Sequence, residues 1–185
     1  MGRVEWTRSR RCVDSVTNLL PRVAVDTCVI IATLLEPDPH QQRQEPSKWV
    51  FEQHNLAHTV VLPSIVAPEL LGAGSIRGSH GGKHERAQRI QDAQRWLISS
   101  REFVFVSIDQ RVARRAAELA LEHDLKGTDA SILAAAELAR CETLYTWDND
   151  LLKIGDRISG LTVCEPKIPD SSTSDSSEDQ LSLEI

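Results

Sequence analysis

The sequence predicts an α/β protein with a mainly parallel sheet flanked by helices. Short apolar runs rich in Val and Ile, without polar alternation, are typical of strands buried in parallel sheets, and Val23-Ala-Val25 is the first of them. Segments with helical periodicity separate these runs, and such alternation favours βα units. At 185 residues and 41% hydrophobic content, the chain suits one domain with its own core.

The predicted strands are short and rich in β-branched or aromatic residues. In chain order they cover residues 22–26, 58–62, 103–107, 143–146 and 161–164. A charged side chain is costly inside such a strand, so Asp26 is expected at the carboxyl end of the first one. That end faces the crevice where open α/β sheets bind ligands.

The predicted helices lie between these strands. They cover residues 29–35, a short segment opening at Pro46, 63–71, 83–99, 109–123 and 129–140. Pro46 suits a first helical position, whereas Pro68 is expected to distort the first turns of its helix. Residues 72–82 hold five of the nine glycines and are expected to form a flexible loop.

The two ends of the chain differ from the predicted domain, which spans residues 21–168. Residues 1–20 read as a basic, loose arm without the apolar stretch of a secretory signal. Residues 169–185 are rich in Ser, Asp and Glu and are expected to be disordered. This tail reads as a solubilising end or as an intramolecular mimic of nucleic acid.

The composition excludes several classes of protein. No apolar run approaches 18 residues, so no membrane span is expected. The four cysteines form no CxxC pair, which indicates reduced thiols and a cytoplasmic location. The net charge of −6 comes largely from five acids after residue 169, so the rest of the chain is near neutral and nucleic acid remains a possible partner.

Acidic residues occur where predicted strands end and predicted helices begin. Asp26 ends the first strand, Glu69 lies in the helix after the second, and Asp129 opens the Ala-rich helix. Asp148 closes the fourth strand, with Asp150 two residues on. These positions share one edge of a parallel sheet, and clustered carboxylates suit hard divalent cations such as Mg²⁺ or Mn²⁺.

Each acid also has a structural alternative. Asp26 could cap the following helix, and Asp129 could be an acid favoured by the helix dipole. Glu69 could be a surface residue, and Asp148 with Asp150 could be ordinary turn chemistry. The regular placement of these acids along successive βα units favours a shared site. A phosphotransfer receiver fits poorly, because the required acidic pair and later Lys are missing.

Four segments together resemble the PIN-domain nucleases, most closely the VapC-like toxins of toxin–antitoxin pairs. They are Val25-Asp-Thr27, Ala67-Pro-Glu-Leu-Leu71, Thr128-Asp-Ala-Ser-Ile-Leu-Ala-Ala135 and Leu144-Tyr-Thr-Trp-Asp-Asn-Asp150. The resemblance spans about residues 23–163. It implies a three-layer α/β/α sandwich in which Asp26, Asp129 and Asp148 bind Mg²⁺ or Mn²⁺.

The resemblance also implies further roles and an activity. Glu69 and Asp150 join the catalytic acids, and Thr27 and Thr146 match hydroxyl positions near the metal. The implied activity is a metal-dependent endoribonuclease, with an antitoxin partner and a homodimeric state. The alternatives are a PIN nuclease that processes RNA without an antitoxin and a non-catalytic RNA-binding scaffold. Cys28 and Pro68 depart from the family pattern, as does the length of the chain.

A basic segment offers contacts for RNA phosphates. It contains Arg77, Lys83, Arg86 and Arg89, defined here as the basic strip. Its alternative is a solvated helix face. Trp147, beside Asp148, is the tryptophan expected to stack on a base. Trp49 and Trp96 sit in amphipathic patterns and are expected in the core or at a dimer interface.

Overall fold

The computed structural model describes residues 20–35, 42–79 and 82–169. The predicted basic arm and acidic tail therefore lie almost entirely outside the described residues. Within the described ranges, no helix is long and apolar enough to cross a bilayer.

In the described part of the chain, five strands form one parallel sheet, as the sequence predicted. They are β1 (Arg22–Val25), β2 (Thr59–Pro63), β3 (Val104–Val106), β4 (Thr143–Tyr145) and β5 (Thr162–Cys164). Their order is β3-β2-β1-β4-β5, and every neighbouring pair is parallel. The strand that ends at Asp26 is thus the central one, with two strands on each side.

Helices cover both faces of the sheet. They are α1 (Thr27–Leu34), α2 (Gln44–Glu52), α3 (Val66–Gly72), α4 (Gly74–Arg77), α5 (Gly82–Ser99), α6 (Gln110–His123), α7 (Gly127–Leu138) and α8 (Asn149–Leu152). A 3-10 turn, Ser100–Glu102, leads into β3. Most predicted boundaries are confirmed to within two residues.

Two apolar clusters lie on opposite faces of the sheet because strand side chains alternate in direction. Val23 and Val25 point into a cluster with α1, α2, α3 and α5. Ala24 points into the other cluster, which includes α6, α7 and α8. The Ala-rich α7 lies flat on the sheet, and its residues from Ile132 to Ala136 are buried. The predicted α/β/α sandwich is confirmed.

Two predictions for the segment around Pro68 were wrong. Helix α3 begins at Val66 rather than at residue 63, so Pro68 is its third residue and belongs to the first turn. Amides in a first turn have no intrahelical acceptor, so the missing N–H breaks no helical hydrogen bond. The Gly-rich segment after α3 is not simply a loop, because α4 forms within it.

The aromatic residues on α2 and α5 pack into the core. Trp96 lies edge-on against Phe51, and both rings lie against Phe103. Trp49 contacts His58, whose ring is bonded to the Val50 carbonyl. Trp49 and Trp96 are partly buried and pack against the core, and a place at a dimer interface stays a prediction. Strand β3, at the edge of the sheet, leaves Val104 and Phe105 about two-fifths exposed.

Candidate functional site

Asp26 lies where β1 ends and α1 begins. Its amide donates to the Tyr145 carbonyl at 3.0 Å, which continues the β1–β4 pairing by one residue. The residue is only 6% exposed. Its Oδ2 accepts hydrogen bonds from Thr146 Oγ1 at 2.6 Å and from Cys28 Sγ at 2.9 Å. The carboxylate occupies the N-cap position of α1 without capping any amide, so the cap alternative was wrong.

The Thr146 hydroxyl joins two of the predicted site residues. It is fully buried, donates to Asp26, and accepts from the Asp148 amide at 2.9 Å. Asp148 then caps α8, because its Oδ1 accepts from the Asp150 amide at 2.7 Å. The turn alternative therefore describes part of the role of Asp148. Asp150 is bonded to Lys153 Nζ at 2.7 Å.

Glu69 is held by a second hydroxyl. Thr27, the residue after Asp26, donates from Oγ1 to Glu69 Oε2 at 2.7 Å. Thr27 is 6% exposed, and Glu69 is half-buried on α3. A surface residue would have no such buried partner, so the surface alternative does not describe Glu69. Two hydroxyls thus orient two carboxylates from different elements.

Asp129 lies in the first turn of α7 and is partly buried. Burial, followed by the negative charges of Asp148 and Asp26, raises its pKa to about 6. Glu69 adds to this rise, and Lys126 opposes it. Asp26, Glu69 and Asp148 are thus near enough to Asp129 for their charges to affect its proton affinity. These four side chains, Asp26, Glu69, Asp129 and Asp148, are called the acidic cleft below.

One oxygen of this group lacks a partner. Asp129 Oδ2 is buried and accepts no hydrogen bond from the described residues. Such an atom normally carries a free-energy cost unless a ligand satisfies it. A donor set of carboxylate oxygens suits Mg²⁺ or Mn²⁺, so Asp26, Asp129 and Asp148 fit the predicted ion chemically. Among the described residues, however, no group of three or more Asp, Glu, His or Cys side chains has the geometry of a metal site.

The basic strip is partly engaged in structural contacts. Arg77 Nε donates to the Gly72 carbonyl at 2.9 Å, and Arg89 Nη2 donates to the Gly78 carbonyl at 2.7 Å. These contacts hold the chain around α4. Lys83 and Arg86 are exposed on α5. Contact of the strip with RNA stays a prediction.

The Trp147 ring contacts protein groups on more than one side. Its Nε1 donates to Ser47 Oγ at 2.9 Å, and the Arg43 guanidinium lies over the ring at 5.2 Å from the centroid. The side chain packs against the core cluster around α1 and α2. Stacking of Trp147 on a base stays a prediction.

Sequence reasoning missed two side chains that act on the acids. Cys28 was noted only as a departure from the family pattern, but its sulfur contacts Asp26 and lies 3.1 Å from the Trp147 amide that donates to it. Burial, together with the charge of Asp26, raises the pKa of this thiol well above its usual range. Lys126 had no motif to mark it. Its position directly before the Gly-Thr-Asp turn was the available signal.

Comparison with known proteins identifies the family. The sequence model of the PIN domain matches residues 23–157, which is most of the chain. The chain belongs to the PIN domain family. The search of curated proteins found no match.

Several solved structures of PIN proteins share the fold. A toxin–antitoxin complex from Klebsiella pneumoniae is 23% identical, with a TM-score of 0.55, and the match covers 78% of this chain and 98% of that one. VapBC2 from Rickettsia felis, bound to a DNA fragment from its promoter, is 16% identical, with a TM-score of 0.55 and the same coverage. The sarcin–ricin loop cleaving toxin VapC20 from Mycobacterium tuberculosis is 18% identical, with a TM-score of 0.51, covering 69% and 91%. The predicted resemblance to VapC-like proteins is confirmed at the level of fold.

Proposed function

We propose that this PIN domain is a metal-dependent endoribonuclease that acts as the toxin of a toxin–antitoxin pair. The observation that carries the proposal is the interaction of Asp129 with Asp148, Asp26 and Glu69 in one cleft, with Asp129 Oδ2 left unsatisfied. Repulsion among several carboxylates costs free energy, which a bound cation relieves while the carboxylates stay ionised. A cleft with this composition favours a cation and, through it, a phosphodiester.

Asp26, Asp129 and Asp148 would hold Mg²⁺ or Mn²⁺, which activates water and stabilises charge on phosphate oxygens when bound. The remaining work belongs to the chain. Thr146 and Cys28 fix Asp26 through Oδ2, and Oδ1 accepts no hydrogen bond from the described residues, so that it can bind a ligand. Thr27 fixes Glu69 through Oε2 in the same way, so that Oε1 can accept a hydrogen bond from water. Asp150 acts indirectly, since its amide orients Asp148.

Several finer assignments belong to the same proposal. The substrate is single-stranded or structured RNA, contacted by the basic strip, and the protein works as a homodimer in the cytoplasm. An antitoxin inhibits it by laying a peptide across the acidic cleft, where a basic side chain neutralises the carboxylates. Structural neighbours that are toxin–antitoxin complexes support this choice. A small upstream gene for a DNA-binding protein would favour it over an RNA-processing nuclease without an antitoxin.

The decisive experiment incubates the purified protein with total RNA in Mg²⁺, in Mn²⁺ or in excess chelator. We expect discrete cleavage products with either metal and none with chelator. Asp129→Asn should remove cleavage while the circular dichroism spectrum stays native. Asp109→Asn is the matched control, because Asp109 caps α6 through two backbone amides and Asn is an equally good cap.

Two results would contradict the proposal. Full cleavage by Asp129→Asn would remove the acidic cleft from the mechanism. Tight RNA binding without cleavage in either metal would instead favour the non-catalytic scaffold. A magnesium-induced rise in melting temperature, absent in Asp129→Asn, gives a readout that is independent of activity.

A further inference from the structure

A second cavity opens beside the acidic cleft, between the α6–α7 turn and α8. Its volume is about 370 Å³, within the range of roughly 300–1,000 Å³ typical of small-ligand pockets. Residues at the end of α6 and in the turn form one wall, and residues on and after α8 form the other. They are His123, Asp124, Leu125, Asp150, Lys153, Ile154 and Arg157. None of the roles proposed above uses this cavity.

One residue that lines the cavity is in contact with the acidic cleft. Asp150 lines it and donates its amide to Asp148 at 2.7 Å. Lys126, in the turn that forms one wall, acts electrostatically on both Asp129 and Asp150. A strand of RNA with its phosphodiester at the carboxylates would therefore have the cavity within reach of an adjacent nucleotide.

The charged groups of the cavity are only partly neutralised. Lys153 is bonded to Asp150 at 2.7 Å, so these two charges offset each other. Arg157 makes no side-chain hydrogen bond or ion pair with any residue in the described ranges. Asp124, across the cavity, is likewise outside every ion pair found there. One cationic donor and one anionic acceptor thus remain available to a ligand.

The wall also holds a buried nitrogen without a partner. The His123 side chain is 8% exposed, and its Nε2 has no hydrogen bond within the described chain; the nearest acidic oxygen, Glu122 Oε1, is 3.7 Å away. A buried nitrogen in this state favours any ligand that supplies a hydrogen bond. Leu125 and Ile154 add apolar surface to the same cavity.

We propose that this cavity, defined here as the flanking pocket, binds one nucleotide of the RNA next to the phosphodiester held at the acidic cleft. Arg157 binds the phosphate of that nucleotide, because a guanidinium matches phosphate geometry and is always charged. Asp124 accepts a hydrogen bond from an amino group on the edge of the base. The apolar surface of Leu125 and Ile154 contacts the rest of the nucleotide. This inference rests on the proposed ribonuclease function and adds a determinant of substrate choice.

The first test compares Arg157→Gln with Arg140→Gln as its matched control. Arg140 is exposed and lies between α7 and β4, at the edge of the sheet opposite the acidic cleft. The probe is a fluorescent 12-nucleotide RNA of random sequence, mixed with the protein in Mg²⁺ in a stopped-flow instrument so that binding is measured before cleavage. We expect Arg157→Gln to weaken binding about tenfold and to lower the slope of log affinity against log salt by about 0.7, as expected for one phosphate contact to a single strand. Arg140→Gln should stay within about twofold.

A second test locates the contact on the RNA. A cleaved oligonucleotide is remade as a series in which one phosphate at a time is a neutral methylphosphonate. For the wild type, neutralising one phosphate beside the cut should slow cleavage about tenfold, whereas Arg157→Gln should be insensitive at that position. Asp124→Asn, which tolerates the left-handed conformation at φ 53°, should change the base preference of the same nucleotide.

The outcomes separate the flanking pocket from the ribonuclease proposal. If the wild type cleaves RNA and Arg157→Gln has the same RNA affinity and the same response to methylphosphonates as the wild type, the flanking pocket alone is overturned. A wild type that neither binds nor cuts RNA overturns both proposals. The pocket is supported if Arg157→Gln loses the phosphate contact, Asp124→Asn changes the base preference at the same nucleotide, and Arg140→Gln behaves like the wild type.

Discussion

Removing the charge of Asp129 should stabilise the folded protein. Its pKa rises from 3.8 in the unfolded chain to about 6 in the fold, which means that the native state binds the proton more tightly. At about 1.4 kcal/mol per pH unit, this difference corresponds to about 3 kcal/mol of destabilisation when the carboxyl is ionised. Because the cleft is partly open to solvent, screening lowers the expected value to about 1–2 kcal/mol.

The pH dependence gives the sign of this effect. Below pH 3.8 the carboxyl is protonated in both states, and Asp129→Asn should match the wild type. Between pH 4 and 6 the unfolded chain releases the proton first, so wild-type stability falls relative to the variant. Above pH 6 the gap is constant, and the variant should melt roughly 2–8 °C higher, at about 2–4 °C per kcal/mol.

The assay is thermal unfolding followed by circular dichroism from pH 3.5 to 8 in chelator. Asp109→Asn serves as the control, since its carboxyl lies outside the acidic cleft and should give a melting temperature within about 1 °C of wild type. Adding Mg²⁺ should narrow the gap, because a bound cation removes the repulsion that the variant lacks. A variant that is less stable than the wild type at pH 7.5, or a gap that is independent of pH, would refute the reasoning.

Three other substitutions or treatments test parts of the fold. Thr146→Val should lower the free energy of unfolding, measured in urea, by about 1–3 kcal/mol, because it removes a hydrogen-bond donor from the buried Asp26 carboxylate. Thr146→Ser keeps the hydroxyl and should lose much less stability. Equal losses of stability in the two variants would contradict this role of the hydroxyl. Ile132→Ala should cost about 2–5 kcal/mol at its 1% exposed position, whereas Ile98→Ala, 64% exposed, should cost less than about 0.5 kcal/mol. Burial raises the pKa of Cys141 to about 12, so iodoacetamide at pH 8 should label this thiol only after unfolding, and rapid labelling of the native protein would contradict its burial.

The sheet was predictable because strand signals are local. The runs around Val23, Val60 and Leu144 carry their β propensity and apolar character within a few residues, and the structure confirms their strands. Helix starts were harder to predict. The helix placed at Pro63 begins at Val66, because β2 pairs with β3 as far as Pro63 and the Ser64 amide is bonded to the Val106 carbonyl. That contact links residues 42 positions apart, so the sequence around Pro63 does not indicate it.

The positions of the candidate acids were predictable from the topology of a parallel sheet. Carboxyl ends of parallel strands share one edge, so Asp26 and Asp148 had to be near each other once β1 and β4 were neighbours. The hydrogen bonds between them were not predictable. A strand-end Thr or Cys has many partners available to it, and only the finished sheet decides that Thr146 and Cys28 both serve Asp26.

The flanking pocket was outside the reach of sequence reasoning altogether. His123 and Arg157 belong to no motif, and they become neighbours only when the α6–α7 turn meets α8. The Trp147 ring is a contrasting case. Its position beside Asp148 suggested a role at the surface, but Arg43 and Ser47 approach it from α2 and its N-cap, which the pattern around Trp147 does not encode.

The central position of β1 determines how the residues around Asp26 respond to denaturant. Asp26 directly follows the central strand, and its carboxylate accepts a hydrogen bond from Thr146, just after β4. Its position therefore depends on the pairing of β1 with β4. Segments of this kind open only in the global transition, whereas peripheral turns fray at much lower free energy. If the proposed function holds, loss of RNA cleavage in urea should therefore coincide with loss of the whole tertiary structure rather than precede it. A partly inactive sample would then be a mixture of native and unfolded molecules.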